Sequence, residues 1–259
     1  MTSIDIPSSV TEIDSAAFYE CSGLTSINIP SNITEIAPQT FSLCRGLTSI
    51  DIPESVTKIG SAAFFGCSGL TSIDIPSNVT KIGVDAFSGC SGLTSIDIPS
   101  NITEIENYTF GGCSGLTSIN IPSNVTKIGG FAFYGCSKLQ TLSLPSAIKF
   151  VGYNTFYNCE NLTSVYANSK TPSEIEEPYE QDYYDNCNLA EHCTSYVPKG
   201  SVEAYNSSNW HLYFNNIKEF DTETGVQTIV SSPLSTEISR YDINGRKIAK
   251  LTKGINMGQ

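Results

Sequence analysis

A 23-residue unit fills residues 1–161 seven times without an insertion. Two stretches of it, CSGLTSIDIPSNVTKIG at 67–83 and CSGLTSINIPSNVTKIG at 113–129, differ only in Asp74 against Asn120. A period of this length marks stacked repeats, because one short unit cannot bury its own apolar face and its neighbours must cover it. The chain is therefore expected to be a solenoid, and most globular folds are excluded at once.

Within the unit, Leu24, Leu47, Leu70, Leu93, Leu116, Leu139 and Leu162 open successive copies. Isoleucines follow at the fourth and sixth positions, as in Ile73 and Ile75, and then a proline, as in Pro76. Apolar residues two apart with a proline behind them predict a short strand and its stop. The second half carries V-x-x-I (Val79, Ile82), a small residue with Phe (Ala86, Phe87), and glycines such as Gly89 and Gly92 for the turn back. Parallel strands lie about 4.8 Å apart, so stacking predicts Leu on Leu and Phe on Phe.

Cys21, Cys44, Cys67, Cys90, Cys113, Cys136 and Cys159 keep the same 23-residue interval. Disulfide frameworks and zinc sites use mixed or short spacings. The thiols read as a structural ladder of small, buried, weakly donating groups beside backbone carbonyls. A redox or metal role is the alternative.

After Leu162 the register slips. The stretch 162–187 holds a first strand and an acidic, Tyr-rich insertion. Tyr184 and Cys187 keep the Phe-x-x-Cys spacing of a stretched eighth repeat. Residues 193–220 are expected to give a ninth strand, a helix near Ser201–Tyr205 and a cap holding the single Trp210. The domain reading is a solenoid over 1–220, with regular repeats to 161 and an irregular repeat and cap over 162–220. A linker over 221–235 and a partial hairpin tail over 236–259 follow. Asn244-Gly245 between alternating segments is the hairpin signal.

LTSIDIPSNVTKIGVDAFSGCSG, residues 70–92, resembles the 23-residue leucine-rich repeat of BspA-type bacterial surface proteins. The resemblance covers residues 1 to about 220. It implies a right-handed β/α superhelix with a parallel sheet on the concave face and short strands or helical turns on the convex face. It also implies secretion or surface display, and in some members adhesion to host proteins or other cells. The tail YDINGRKIAKLTKGIN resembles the start of C-terminal sorting sandwiches of such bacteria. The chain opens on MTSIDIPSSV, inside the repeat, so it reads either as a cytosolic protein or as one whose export signal has been removed.

The outward positions of the first strand are the candidate binding face: Asn28, Ser49, Asp51, Ser72, Asp74, Ser95, Asp97 and Asn120, beside a row of threonines. Such a grid suits sugars or cations; the plainer reading is a soluble strand copied by duplication. Asp51, Asp74 and Asp97 are expected about 5 Å apart, where like charges repel by roughly 0.8 kcal/mol in water. Such a line attracts a divalent cation such as calcium, although parallel side chains do not wrap an ion. Tyr166, Tyr179, Tyr183 and Trp210 are the candidate protein contacts, or else rings that close the core. Elsewhere Glu35–Lys58, Lys81–Glu104 and Glu104–Lys127 are candidate ion pairs. The sequons at Asn32, Asn78, Asn101 and Asn124 read as by-products of the SNVT repeat.

A net charge of −12 repels phosphate backbones and anionic bilayers, which argues against nucleic acid or membrane partners. No apolar run approaches the roughly 18 residues of a span. Only His192 and His211 are present, and no nucleophile, zinc or phosphate-loop motif appears. The expectation is a non-enzymatic, monomeric, cofactor-free binding module at the cell surface. Its expected partner is a host matrix or cell-surface protein, or a glycan. A spacer that displays another module is the alternative.

Overall fold

Proline and asparagine shape each coil. In a computed structural model, which describes residues 2–176, 189–220, 226–229, 239–242 and 247–248, every first strand is short and is followed by a tight turn. The proline carbonyl accepts from the amide three residues on, as in Val79 N to Pro76 O at 3.0 Å and Val125 N to Pro122 O at 3.1 Å. The chain then enters a second strand of two residues, such as Lys81–Ile82 or Lys127–Ile128. A second tight turn, Leu70 N to Cys67 O at 3.1 Å, returns it to the start of the next coil.

Stacking is parallel and in register at the repeat interval. Ile4 lies opposite Ile27, Ile96 opposite Ile119, and Leu142 opposite Val165. The second strands form their own parallel rows, with Ile36, Ile59 and Ile82 side by side. Ile105, Ile128, Val151 and Ile175 form the continuation. The architecture is thus a parallel-sheet solenoid of about nine turns. Between the rows, Phe18, Phe41, Phe64, Phe87, Phe110, Phe133 and Phe156 stack with centroids 5.4–6.4 Å apart and planes within 14°. Phe41 to Phe156 and Leu24 to Leu162 are buried, so one continuous core runs along the axis.

Polar side chains tie the coils together. Each thiol from Cys44 to Cys159 donates to the Phe carbonyl of the preceding coil, at 3.0–3.2 Å. Cys21 sits in the first coil and is exposed. Three sequon asparagines work likewise: Asn32 Nδ2 donates to Val10 O at 2.7 Å, Asn78 Nδ2 to Glu54 O at 2.8 Å and Asn101 Nδ2 to Ser77 O at 2.7 Å. Threonines of the first strand do the same, as in Thr117 Oγ1 to Thr94 O at 3.1 Å. Hydroxyls that look like a free grid in the sequence are thus partly spent on the neighbouring coil.

The two glycine columns have different causes. Gly66, Gly89, Gly112 and Gly135 have φ of 66–75°, the left-handed region. Gly69 is required by close approach instead, because a Cβ there would lie 2.4 Å from Arg45 O in the coil behind.

The C-terminal end closes on aromatic rings. Trp210 is fully buried, and its Nε1 donates to Ser195 Oγ at 2.8 Å. Tyr213 meets the last ladder ring, Phe156, edge-on at 5.9 Å. The expected ninth strand is Thr194–Pro198 and the expected helix is Val202–Asn206. Tyr184 and Cys187 of the stretched eighth repeat lie outside the described residues. Within 221–235, read from sequence as a linker, Val226–Ile229 forms a strand, and three of its four residues are β-branched. It pairs antiparallel with Ser239–Asp242, which pairs antiparallel with Lys247–Ile248; Asn244-Gly245, the sequence's hairpin signal, lies outside the described residues.

Candidate binding faces

The first-strand face carries every polar residue singled out from the sequence. Asn28, Ser49, Asp51, Ser72, Asp74, Ser95, Asp97 and Asn120 are all exposed, while the isoleucines between them point inward. Asn28 is bridged to Asp51 and Asp51 to Asp74; the pairing resumes at Asp97 and Asn120. The acidic line is therefore a bridged pair and a third carboxylate in the next sheet segment. Among the described residues no three His, Cys, Asp or Glu side chains gather to hold a metal ion. Parallel side chains on a flat sheet do not converge on a point.

At its C-terminal end the same face becomes aromatic. Tyr166 takes the column of the aspartates and stacks on Tyr196, with centroids 4.9 Å apart and planes within 15°. Phe220 meets Tyr166 edge-on at 5.9 Å. All three rings are half-buried. Burial, followed by the neighbouring Tyr196, pushes the Tyr166 hydroxyl pKa up. Beside them, Asn168 Nδ2 donates to Ser143 Oγ at 2.9 Å, which holds the serine in the row before Tyr166. Tyr196 and Phe220 were missed in the sequence, although Thr-Ser-Tyr-Val-Pro repeats the strand pattern and puts Tyr196 in the Tyr166 column.

Trp210 does not join this platform. It is core, since its indole fills the space that the last coil leaves and satisfies its N–H there. Tyr179 and Tyr183 lie outside the described residues.

The thiol ladder is chemically quiet. Burial, and next the neighbouring thiols, push Cys44 up to about 11 and Cys67 to about 12. Burial alone pushes Cys113 to about 12. Cys90 and Cys136 are raised well above the ordinary value. A thiol held protonated is a poor nucleophile at neutral pH.

Of the three candidate ion pairs, Lys58 Nζ meets Glu35 Oε1 at 2.7 Å. Glu104 and Lys127 are register neighbours, and Lys127 Nζ instead lies 5.8 Å from the Phe150 ring centroid.

The sequence reading also passed over the turn side, where the chain runs past the ladder phenylalanine. Tyr108, Phe131, Tyr134, Tyr153 and Tyr157 form one ring cluster there. Their signal is split over three offsets from the ladder Phe, three before it (Tyr153), two before it (Tyr108, Phe131) and one after it (Tyr134, Tyr157), and other coils fill the last with Tyr19 and Phe65 as well as Ser42, Ser88 and Gly111.

The geometry of stacked 23-residue coils coincides with a known repeat. The BspA type leucine rich repeat region matches residues 1–116 and 81–199, in six copies. The chain belongs to the BspA-type leucine-rich-repeat family. A leucine-rich repeat protein from Bacteroides ovatus is 28% identical, with a TM-score of 0.60 over 85% of this chain and 61% of its own. The chain thus spans less than two thirds of that protein. The Treponema named T. pallidum has a leucine rich repeat protein 26% identical over 67% of this chain and 72% of its own, with a TM-score of 0.47. A leucine rich cell surface protein from Faecalibacterium prausnitzii is 26% identical over 69% of this chain and 66% of its own, with a TM-score of 0.32. No curated protein matches the chain. Among the described residues of this BspA-type chain, no helix is long and apolar enough to cross a membrane.

Proposed function

We propose that this BspA-type solenoid is a non-enzymatic, surface-displayed module that adheres to host matrix or cell-surface proteins through its first-strand face. The supporting observation is the change in that face along the axis. Exposed hydroxyls and carboxylates run from Asn28 to Asn120 and end at the Tyr166–Tyr196–Phe220 platform. Tyrosine supplies large contact area at low entropy cost, and the polar rows set orientation. Family membership supports the surface placement. The solenoid over 1–220 acts in this reading as the binding unit, with 236–259 separate from it.

The test is binding of the immobilised full chain to extracellular-matrix proteins and to a glycan array. Tyr166→Ala with Tyr196→Ala is expected to weaken saturable protein binding at least tenfold. Asp51→Asn, Asp74→Asn and Asp97→Asn together are expected to lower it less. Sugar competition of the binding moves the reading to a glycan ligand. Absence of any saturable binding leaves the spacer reading.

A further inference from the structure

We propose that the turn side of coils five to seven is a second docking surface, which takes an arginine-bearing, cationic segment of a partner protein. This goes beyond the first-strand reading, since the residues lie on another face and the ligand chemistry differs.

The surface is built from five rings. Tyr108 stacks on Phe131 at 4.6 Å. Phe131 meets Tyr134 edge-on at 5.8 Å and Tyr153 edge-on at 5.0 Å. Tyr134 stacks on Tyr157 at 5.6 Å, so the cluster is continuous over three coils. Every ring in it is partly exposed. Glycine makes its floor: a Cβ on Gly130 would lie 3.0 Å from Tyr153 Cε1, so that ring lies across bare backbone.

The fold does not require these rings. Tyr108 and Phe131 occupy a left-handed column, with φ of 55°, whose other members are Ala16, Gln39, Ala62, Asp85 and Asn154. Tyr134 and Tyr157 occupy a column that holds Tyr19, Ser42, Phe65, Ser88 and Gly111 elsewhere, and among the described residues only in coils six and seven does it join the rings of the left-handed column. Coils close equally well over alanine, serine or glycine, so the rings add surface rather than core. Partly exposed aromatic clusters of this kind mark interaction sites.

Charge selects the occupant. The turn segments of the seven coils, 14–21, 37–44, 60–67, 83–90, 106–113, 129–136 and 152–159, contain Asp14, Glu20, Asp85 and Glu106 and no Lys or Arg. Asp85 precedes Tyr108 in the left-handed column, and Glu106 lies two residues before Tyr108 in the chain. At the other end, Glu176 Oε2 accepts from Tyr153 N at 3.4 Å. Ring faces between carboxylates, on a chain of net charge −12, attract a planar guanidinium by stacking and by field together. A lysine ammonium gains the field but not the planar stack.

The experiment is fluorescence anisotropy of a labelled 12-residue Arg–Gly peptide with the full chain at 150 mM salt, beside Lys–Gly and Glu–Gly peptides. The expected order is Arg–Gly tighter than Lys–Gly, with no binding of Glu–Gly. Phe131→Ala, Tyr134→Ser and Tyr157→Ser together are expected to raise Kd for Arg–Gly at least tenfold. These residue types already occupy the same columns in other coils, and an unchanged circular dichroism spectrum checks that the variant folds. Asp85→Ala with Glu106→Gln, leaving the rings intact, is expected to weaken binding about threefold or more and to flatten its salt dependence. The Asp51, Asp74 and Asp97 triple is expected to change Kd less than twofold. The proposal is overturned if that triple abolishes binding and the ring variant does not, or if Arg–Gly binds no better than Glu–Gly. It is also overturned if the chain sediments as a dimer that the ring variant dissociates, which would make the occupant a second copy. Matrix binding lost only in the Tyr166 and Tyr196 variant sustains the first-strand reading independently of this result.

Discussion

Raising the pH from 8 to 10 should destabilise this solenoid through its thiol ladder. Cys44, Cys67, Cys90, Cys113 and Cys136 hold pKa values raised by burial, from an ordinary 9 to about 11 at Cys44, about 12 at Cys67 and Cys113, and well above the ordinary value at Cys90 and Cys136. Below pH 9 each thiol is protonated in both states and stability does not depend on it. As pH rises through 9 the unfolded chain releases its protons while the folded chain keeps them. The unfolded state then binds fewer protons, so stability falls with pH until the folded values are reached. One pH unit above the unfolded value, each thiol contributes a little over 1 kcal/mol to this loss, and the five together about 7 kcal/mol. That rivals the whole stability of an ordinary domain, about 5–15 kcal/mol. The assay is urea unfolding followed by circular dichroism at pH 8 and pH 10, with a reductant present. The control is a chain carrying Cys67→Ala, Cys90→Ala and Cys113→Ala. It starts less stable at pH 8 because of the small cavities. Its further loss at pH 10 should shrink to roughly two fifths, about 3 kcal/mol, because two of the five shifted thiols remain. Equal pH dependence in the two chains would refute the reasoning and place the alkaline transition on tyrosines or lysines.

Two further outcomes separate the stacking forces. Gly69→Ala should cost several times more than Gly112→Ala in urea midpoint. The first forces a Cβ to 2.4 Å from a backbone carbonyl, whereas the second meets only Gly89 at 3.5 Å and bears the left-handed strain, about 1 kcal/mol. Asn101→Ala should lower stability by about 1 kcal/mol, measured by the same melts, because its amide loses the 2.7 Å bond to Ser77 O.

Much of the scaffold was legible in the chain. The period, the apolar columns and the phenylalanine and cysteine ladders follow because identical residues at one interval must meet once coils stack. The first-strand face was legible too, since alternation alone decides which side of a strand Asp51 and Ile52 take. Other features were not. The columns of Tyr108 and Phe131 are left-handed, yet their occupants are Ala, Gln, Asp, Tyr, Phe and Asn, so no residue type announces the conformation. Asn101 read as a by-product of the repeat, yet its amide donates to a carbonyl of the previous coil.

The sequence by itself determined that this chain stacks, at what interval, and which side chains fill its axis, because burial and period are local properties repeated. Only the tertiary structure decided that Trp210 is core, that Tyr166 meets Tyr196 and Phe220, and that the turn-side rings gather into one surface. Those outcomes depend on the rise between coils and on where the cap folds back, and each brings together residues whose separation in the chain carries no sign of their meeting.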